Sequence, residues 1–369
     1  MKKASPQIDR VREHSRSLVY NCLLERSAEK LSRNDITWAT GLSNPTVSTV
    51  LQEFADLGLI GEVGQSSARG GRPAQLVSFN REARCVLSVE IAKGAARALL
   101  VDLTGAVLER SVGPVSAESR PEELFSWLGG LHETWSAVYR LGRVAVALPG
   151  VVEHHSGTVH LAPALGWHNY PLAERLENQL GLPVTLENDV NALAMGELRY
   201  GGLAPDSNAL FLAITDGVGM GIVLNGSIYR GSHFAAGEVG YSHLPGLEPQ
   251  SDPIFGESGP LEAHLLELSS RFTVGGRLDL TAEGARPAFR RFTRDLGTIV
   301  QNAACLLNPD RLTVAWPLDE DGLLLSELRE NLSTPMPLEI TAAQLGRDAS
   351  ALGVAAMALD ELVATFCSG

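Results

Sequence analysis

The sequence predicts a small N-terminal helical domain followed by a larger α/β body. Two observations indicate this division. Residues 1–80 carry 10 lysines and arginines against 8 aspartates and glutamates, whereas the rest of the chain carries 20 against 35. Short helical patterns that stop at Gly41 and Gly58 come first, and three strand patterns followed by helix–strand alternation come after them, which is typical of mixed α/β layers. The length of 369 residues allows two or three domains.

The composition, 44% hydrophobic and 20% charged, is that of a folded protein and excludes a disordered tail. We expect no apolar run of the roughly 18 residues that a membrane span needs. The residues that follow Met1 are charged and do not resemble a signal peptide. Four scattered cysteines without CxxC spacing favour a reducing cytoplasm over a disulfide framework. These are Cys22, Cys85, Cys305 and Cys367. The expected location is therefore the cytoplasm, with no membrane partner.

The head begins with two predicted helices. Residues 10–27 have a helical period. The stripe expected to be buried consists of Val11, Leu18, Val19, Cys22 and Leu23. A short second helix, Ile36–Thr40, follows with Asn34 or Asp35 as its expected N-cap. Gly41 then permits a tight turn.

A third helix is predicted from about Pro45 to Leu57, capped by Ser43 or Asn44. Its inward residues are Val47, Val50, Leu51 and Phe54. A helix, a tight turn and a second capped helix describe a helix-turn-helix, whose recognition helix enters the major groove N-terminal end first. The candidate DNA-contacting residues of these helices are Arg33, Asn44, Pro45, Thr46, Ser48, Thr49 and Gln52. The alternative is an ordinary capped surface helix.

Two predicted strands, residues 59–63 and 75–79, flank a polar turn and suggest the wing of a winged helix. Arg69 and Arg72 at its tip are the candidate groups for a minor groove or a phosphate. The alternative is a flexible loop with two solvated arginines.

Three segments of the head make a family resemblance specific. Thr40-Gly41-Leu42-Ser43, Thr46-Val47-Ser48 and Gly70-Gly71-Arg72-Pro73-Ala74 resemble, in content and spacing, the DNA-binding domain of ROK-family transcriptional repressors. The type is that of the xylose-operon and N-acetylglucosamine repressors. The resemblance implies an N-terminal winged helix-turn-helix.

The body resembles the actin-like, two-lobed ROK sugar-kinase fold along essentially its whole length. The segments that carry this resemblance are residues 147–152, 181–184, 187–192 and 236–240, which occur in family order. The expected domains are a DNA-binding domain over 1–80, a first lobe over 81–188 completed by a C-terminal helix at 350–369, and a second lobe over 189–349. We expect the second lobe to hold ligand and dimer contacts.

Three departures argue against kinase chemistry, which depends on loops that hold phosphates. Where the family has an Asp-x-Gly-x-Thr phosphate loop, this chain has Glu90 and lacks the glycine and the hydroxyl. Asp216 stands where a hydroxyl should meet phosphate, and two anions at close range repel. Trp316 is expected to occupy space that a nucleotide needs. We therefore predict no catalytic residues and no cofactor.

The sugar side of the family site is partly retained. By resemblance, the ligand-binding residues are Asn188, Asp189, Glu238, Tyr241 and Glu262. Carboxylates and amides suit a polyol because they accept from its many hydroxyls. Two family positions have changed, since Tyr241 replaces a histidine and Ala164 replaces an asparagine. Either the ligand differs from the usual hexoses and pentoses or inducer binding has been lost.

The family's structural zinc site is also changed. Its histidine is Tyr241 here, and Pro253, Phe255 and Pro260 stand where three cysteines would be. We therefore predict no metal.

These features predict a DNA-binding regulator, most simply a repressor of carbohydrate genes, controlled by a sugar or sugar derivative. The expected partners are double-stranded operator DNA, a small-molecule sugar effector and a second copy of the chain, in a homodimer or a dimer of dimers. Two alternatives stay open: a sugar kinase with an appended DNA-binding head, and a regulator that has lost sugar sensing.

Overall fold

The computed structural model describes the chain in eight ranges: residues 6–65, 74–92, 95–113, 120–215, 217–244, 259–318, 322–334 and 336–368. The side chains of residues 6–8 and of Pro260 are also outside the description. The predicted wing tip with Arg69 and Arg72, the loop residue Asp216, and Pro253 and Phe255 lie outside the described residues.

The N-terminal unit consists of three helices and a three-stranded antiparallel sheet in the order β1–β3–β2. Its elements are α1 (Pro6–Glu25), β1 (Lys30–Ser32), α2 (Arg33–Thr40), α3 (Asn44–Asp56), β2 (Ile60–Gln65) and β3 (Gln75–Phe79). The three predicted helices and the two predicted strands are present. All four inward residues predicted for the third helix are buried.

Two local predictions for the head are wrong. Ser32, and not Asn34 or Asp35, caps α2, because the unpredicted strand β1 delivers Ser32 in extended conformation to the start of the helix. Asp35 instead completes a capping box by accepting from the Ser32 N–H at 2.8 Å. Val11 is 62% exposed, since the N-terminal part of α1 extends past the core of the head.

The body contains two five-stranded sheets. The elements up to the first sheet's last strand are β4 (Cys85–Ala92), β5 (Ala95–Asp102), β6 (Val107–Gly113), α4 (Pro121–Ser136), β7 (Leu141–Leu148), β8 (Val151–Glu153), β9 (Thr158–Ala162), β10 (Trp167–Tyr170), α5 (Leu172–Leu180) and β11 (Val184–Asn188). The elements that follow are α6 (Asp189–Tyr200), β12 (Ala209–Ile214), β13 (Val218–Leu224), β14 (Ser227–Ile228), α7 (Pro260–Arg271), β15 (Thr273–Val274), β16 (Arg277–Leu278), α8 (Ala285–Leu307), β17 (Arg311–Ala315), α9 (Leu323–Asn331), β18 (Glu339–Ala342) and α10 (Ala349–Ser368). The helix predicted over 121–141 ends earlier, at Ser136, because β7 begins at Leu141.

The two sheets share one topology. The first has the order β11–β7–β4–β5–β6 and the second the order β14–β13–β12–β17–β18. In each, the first three strands in chain order form an antiparallel meander, and two later strands join parallel to the first of them. The body thus repeats one α/β arrangement, although its sequence shows no internal repeat. Each sheet has its own apolar core.

Helix α10 packs against the first sheet, helix α6 packs mainly against the second sheet, and the two helices pack against each other. The segment Gly346–Ser368, which contains α10, is long and apolar enough to cross a membrane by length and composition alone, which corrects the expectation that no run of this kind exists. Within the fold, 67% of its most apolar window is buried, as is usual for a core helix. The buried face of α10 also joins the core of the N-terminal unit.

Candidate functional site

A cleft of about 580 Å³ opens between the two sheets of the body. The carboxyl ends of parallel strands meet there, which is where α/β folds commonly bind ligands. Glu90 lies near the end of β4, Gly150 follows β7, and Asn188 ends β11. The five ligand-binding residues predicted from the sequence all line this cleft, although they come from positions 188 to 262.

Asn188 is held in place by three hydrogen bonds. Its Oδ1 accepts from the N–H groups of Val190 at 2.9 Å and Asn191 at 3.0 Å, which caps α6. Its Nδ2 donates to the Gly150 carbonyl at 3.0 Å. Because both acceptor positions of Oδ1 are used, the second Nδ2 hydrogen is the group that remains for a ligand.

Asp189 is the first residue of α6, and its Oδ1 accepts from the Val190 N–H at 3.0 Å. Burial raises the pKa of this carboxyl to about 7, and the negative charges of Glu90 and Glu238 add to the effect. The side chain therefore changes protonation near neutral pH. It can donate a hydrogen bond when neutral and accept several when ionised.

Glu238 and Glu262 also line the cleft. Burial raises the pKa of Glu238, and the charge of Glu262 raises it further. Glu262 caps α7 by accepting from the Gly259 N–H at 3.0 Å, and its Oε1 reaches the Val218 N–H at 3.4 Å. Glu262 thus joins α7 to the first residue of β13, while Tyr241 also lines the cleft.

An ion pair occupies the position that the family resemblance gives to the first phosphate loop. The Arg97 guanidinium lies 3.1 Å from Glu90 Oε2 across neighbouring strands. Burial raises the pKa of Glu90, against the opposing effect of Arg97. A carboxylate paired in this way presents no free N–H groups to a phosphate.

Trp316 belongs to the core of the second sheet. It is 8% exposed and stacks on Phe289 with ring centroids 6.2 Å apart. A hollow of about 370 Å³ remains beside it, next to Asp189 and Glu90. The tryptophan therefore lines this hollow and does not fill it, and the expectation that it takes space needed by a nucleotide stays a prediction.

A buried ion pair behind the cleft was missed by the sequence reasoning. Glu187 of β11 is fully buried, and its Oε2 accepts from Arg230 Nε at 2.8 Å and Nη2 at 2.6 Å. Its Oε1 accepts from the Asn188 N–H and from Asn191 Nδ2. Because Arg230 follows β14, the pair joins the two sheets directly behind Asn188. A glutamate that directly follows the buried Leu186 in β11 was the available signal.

The candidate DNA-contacting residues lie on and beside α3. Asn44, Pro45, Thr49 and Gln52 are exposed, whereas Thr46 and Ser48 are half-buried. Arg33 of α2 borders the same small hollow as Ser48 and Gln52. The described candidates thus lie on α3 and on the neighbouring helix α2.

The donor set at the family's zinc position does not fit zinc. Pro260 begins α7, and Tyr241 lines the cleft. Within the part of the chain that the structure describes, no group of three His, Cys, Asp or Glu side chains could hold a metal ion.

Comparison with known proteins agrees with this architecture. Residues 86–263 match the model of the ROK family. The chain carries a ROK family domain. A ROK family transcriptional regulator, described as a homologue of the E. coli Mlc protein, superposes on 97% of this chain and 99% of its own with a TM-score of 0.74 at 22% identity. This similarity establishes the actin-like ROK fold of the body.

Curated relatives of this chain include proteins named as repressors. The xylose repressor of Bacillus subtilis is 24% identical over 96% of this chain and 97% of its own length. The xylose repressor of Caldicellulosiruptor bescii is 28% identical, and the alignment covers 63% of this chain and 59% of the relative. The chain thus spans less than two thirds of that relative's length. The ROK domain of this chain is similar to those of repressors, and the family also includes sugar kinases.

Proposed function

We propose that this protein is a sugar-responsive transcriptional repressor of the cytoplasm. The observation that carries the proposal is the combination, in one chain, of an exposed polar recognition helix with a carboxylate-lined cleft. In that cleft the Glu90–Arg97 ion pair takes the place of the first phosphate loop. Relatives that are named xylose repressors support repression as the outcome of DNA binding.

Residues 1–80 are the winged helix-turn-helix in this proposal, and α3 enters the major groove. The domain's short polar side chains reach base edges, while the wing arginines Arg69 and Arg72 contact the backbone or minor groove. The working unit is a homodimer or a dimer of dimers, because paired half-sites lie ~34 Å apart and a two-fold protein fits them. A small rotation of one body then disengages one head.

The body divides, in this proposal, into a lobe over 81–188 completed by 350–369 and a lobe over 189–349. The effector binds between them and alters their closure. Asp189, Glu238 and Glu262 accept from its hydroxyls, and Asn188 donates its second amide hydrogen. Tyr241 and Ala164 change the pocket relative to the family pattern, so the preferred sugar has to be identified by experiment.

DNA binding is tested by selecting duplexes from a random-sequence pool with the wild-type chain and measuring affinities by fluorescence anisotropy. Thr49→Ala is expected to lower affinity about tenfold, because it removes a group at the groove. Thr134→Ala is the matched control, since both are exposed helical threonines whose hydroxyls donate to the carbonyl four residues earlier, at 3.1 Å and 2.8 Å. Equal affinities for the two variants and the wild type would contradict the recognition surface.

Effector binding is tested by thermal shift with D-xylose and N-acetylglucosamine as probes. A rise in the melting temperature that Asp189→Asn abolishes supports the cleft. Stabilisation by the selected duplex and by neither sugar would favour a regulator that has lost sugar sensing. Release of ADP from ATP with either sugar would instead support a kinase that uses the hollow beside Trp316.

A further inference from the structure

The C-terminal end of α10 lies against the N-terminal unit, and a buried aromatic cluster joins them. Tyr20 of α1 is 1% exposed. Its ring lies 6.5 Å from Phe366 of α10, 5.7 Å from Phe79 of β3 and 6.4 Å from Phe54 of α3, between centroids. The recognition helix and the last turn of α10 therefore both pack against one side chain.

Arg16, one turn earlier on α1, makes the polar connection between the same two helices. Its Nε donates to Glu53 Oε2 of α3 at 2.8 Å, and its Nη1 donates to the Cys367 carbonyl of α10 at 3.1 Å. The carbonyls of a last helical turn have no partner within the helix and carry its negative dipole end. A planar guanidinium holds its donors in a rigid fork, whereas an ammonium is a compact charge at the end of a flexible stem and fixes two acceptors less well.

The other half of α10 is in close contact with the helix that begins at the cleft. A Cβ added to Gly353 of α10 would lie 1.7 Å from the Ala192 carbonyl oxygen of α6, and a Cβ on Gly196 would lie 2.5 Å from the Ala349 carbonyl oxygen. The two backbones thus touch. Since α6 starts at Asp189, a displacement of α6 at the cleft has to move α10 with it.

We propose that Arg16 is a positioning residue that fixes the recognition helix relative to the body. It ties Glu53 of α3 to the end of α10, so that movement of α6 and α10 changes the orientation of α3. This inference rests on the proposed function and adds the route between the cleft and the DNA-binding surface.

A direct role of Arg16 in holding phosphate is the main competing explanation, and the geometry disfavours it. The side chain is 15% exposed. Its charge is compensated by Glu53, and the hydrogen bond to Glu53 raises the pKa of Arg16 above its ordinary value. A phosphate that approached Arg16 would also meet the negative charge of Glu53, which weakens the attraction.

The test compares Arg16→Ala, Glu53→Ala and the double variant, using duplex selected by the wild-type chain. If Arg16 acts through Glu53, each single variant lowers affinity by about five- to tenfold, and the double variant is no weaker than the weaker single one. Arg16→Lys is expected to lie between wild type and Arg16→Ala, because a lysine retains one of the two bonds. Arg26→Ala is the control, because it removes an ion pair with Glu29 just after the end of α1. Its affinity for the duplex should stay within about twofold of the wild-type value.

Affinity is measured at a temperature well below the melting temperature of every variant, so that a loss of stability alone does not change the measured affinity. Wild-type affinity of Arg16→Ala for the duplex would overturn the inference and leave the proposed function intact. Weaker binding by Arg16→Ala together with tighter binding by Glu53→Ala would show a phosphate contact and also overturn it. A wild-type chain that enriches no duplex would remove the proposed function, and the inference with it.

Discussion

The contact between α6 and α10 predicts that replacing Gly353 by alanine destabilises the protein. The same replacement at Gly130 of α4, where there is open space, is expected to stabilise it. Gly353 lies inside α10, where a Cβ would meet the Ala192 carbonyl oxygen at 1.7 Å and the Gly196 nitrogen at 2.7 Å. All these atoms belong to backbone, which cannot rotate away as a side chain end would. Gly353→Ala therefore has to separate the two helices.

The size of the effect follows from the geometry. Ordinary contact between a methyl carbon and a carbonyl oxygen needs a separation of about 3.3 Å, so the helices must move apart by about 1.5 Å. Overpacking of this kind costs roughly 1–3 kcal/mol or more, whereas replacing a helical glycine by alanine gains only about 1 kcal/mol. The backbone contact leads us to expect a net loss of about 2 kcal/mol in the free energy of unfolding.

Gly130 is the control. It lies inside α4, and a Cβ there would meet nothing within 4 Å. Gly130→Ala should therefore raise the free energy of unfolding by about 0.5–1 kcal/mol. Urea denaturation followed by circular dichroism measures both variants, and unchanged slopes show that the midpoints report stability. If Gly353→Ala were as stable as Gly130→Ala, the close packing of α6 on α10 would be refuted.

Three further predictions follow from buried or unusually exposed side chains. The pKa of Asp189 in the folded protein, about 7, lies above its ordinary value of 3.8. The free energy of unfolding of the wild type therefore falls as pH rises between these values. Asp189→Asn does not titrate, so its free energy of unfolding should exceed that of the wild type by up to about 4 kcal/mol at pH 7 and above. Denaturation at several pH values measures this difference. Arg230→Ala leaves Glu187 buried without its cation and should cost about 3 kcal/mol in urea denaturation, whereas Arg199→Ala, which breaks an exposed pair, should cost less than about 1 kcal/mol. Trp38 is 89% exposed, so Trp38→Phe should remove the fluorescence component that acrylamide quenches most readily, and an unchanged quenching curve would contradict its exposure.

The helical part of the head could be predicted because its signals are local. The period of Val47, Val50, Leu51 and Phe54 fixes the buried face of α3. The cap of α2 could not be predicted, since the start of that helix depends on β1, which pairs with a strand more than 40 residues later in the chain. Val11 fits the helical period, yet it is 62% exposed, and the period alone does not say where along a helix the packing begins.

The body divides in the same way. The strands from Cys85 to Asp102 are strongly apolar and were predicted, and the motif around Asn188 and Asp189 located the cleft. The Glu187–Arg230 pair joins residues 43 positions apart, and no spacing rule predicts such a contact. The hollow beside Trp316 depends on how the second sheet packs, so sequence could identify the residue but not the space that it leaves.

The charge of the cleft bears on the chemical class of the effector. Glu90, Asp189, Glu238 and Glu262 face the cleft, and Arg97 is already paired with Glu90. A sugar phosphate placed there would bring an anion within a few ångström of these carboxylates, where like charges 4 Å apart repel by about 4 kcal/mol at a protein surface. An uncharged sugar meets no such repulsion and supplies the hydroxyl donors that carboxylates accept. The charges that disfavour phosphate transfer therefore also favour an unphosphorylated sugar over its phosphate as the effector of the proposed repressor.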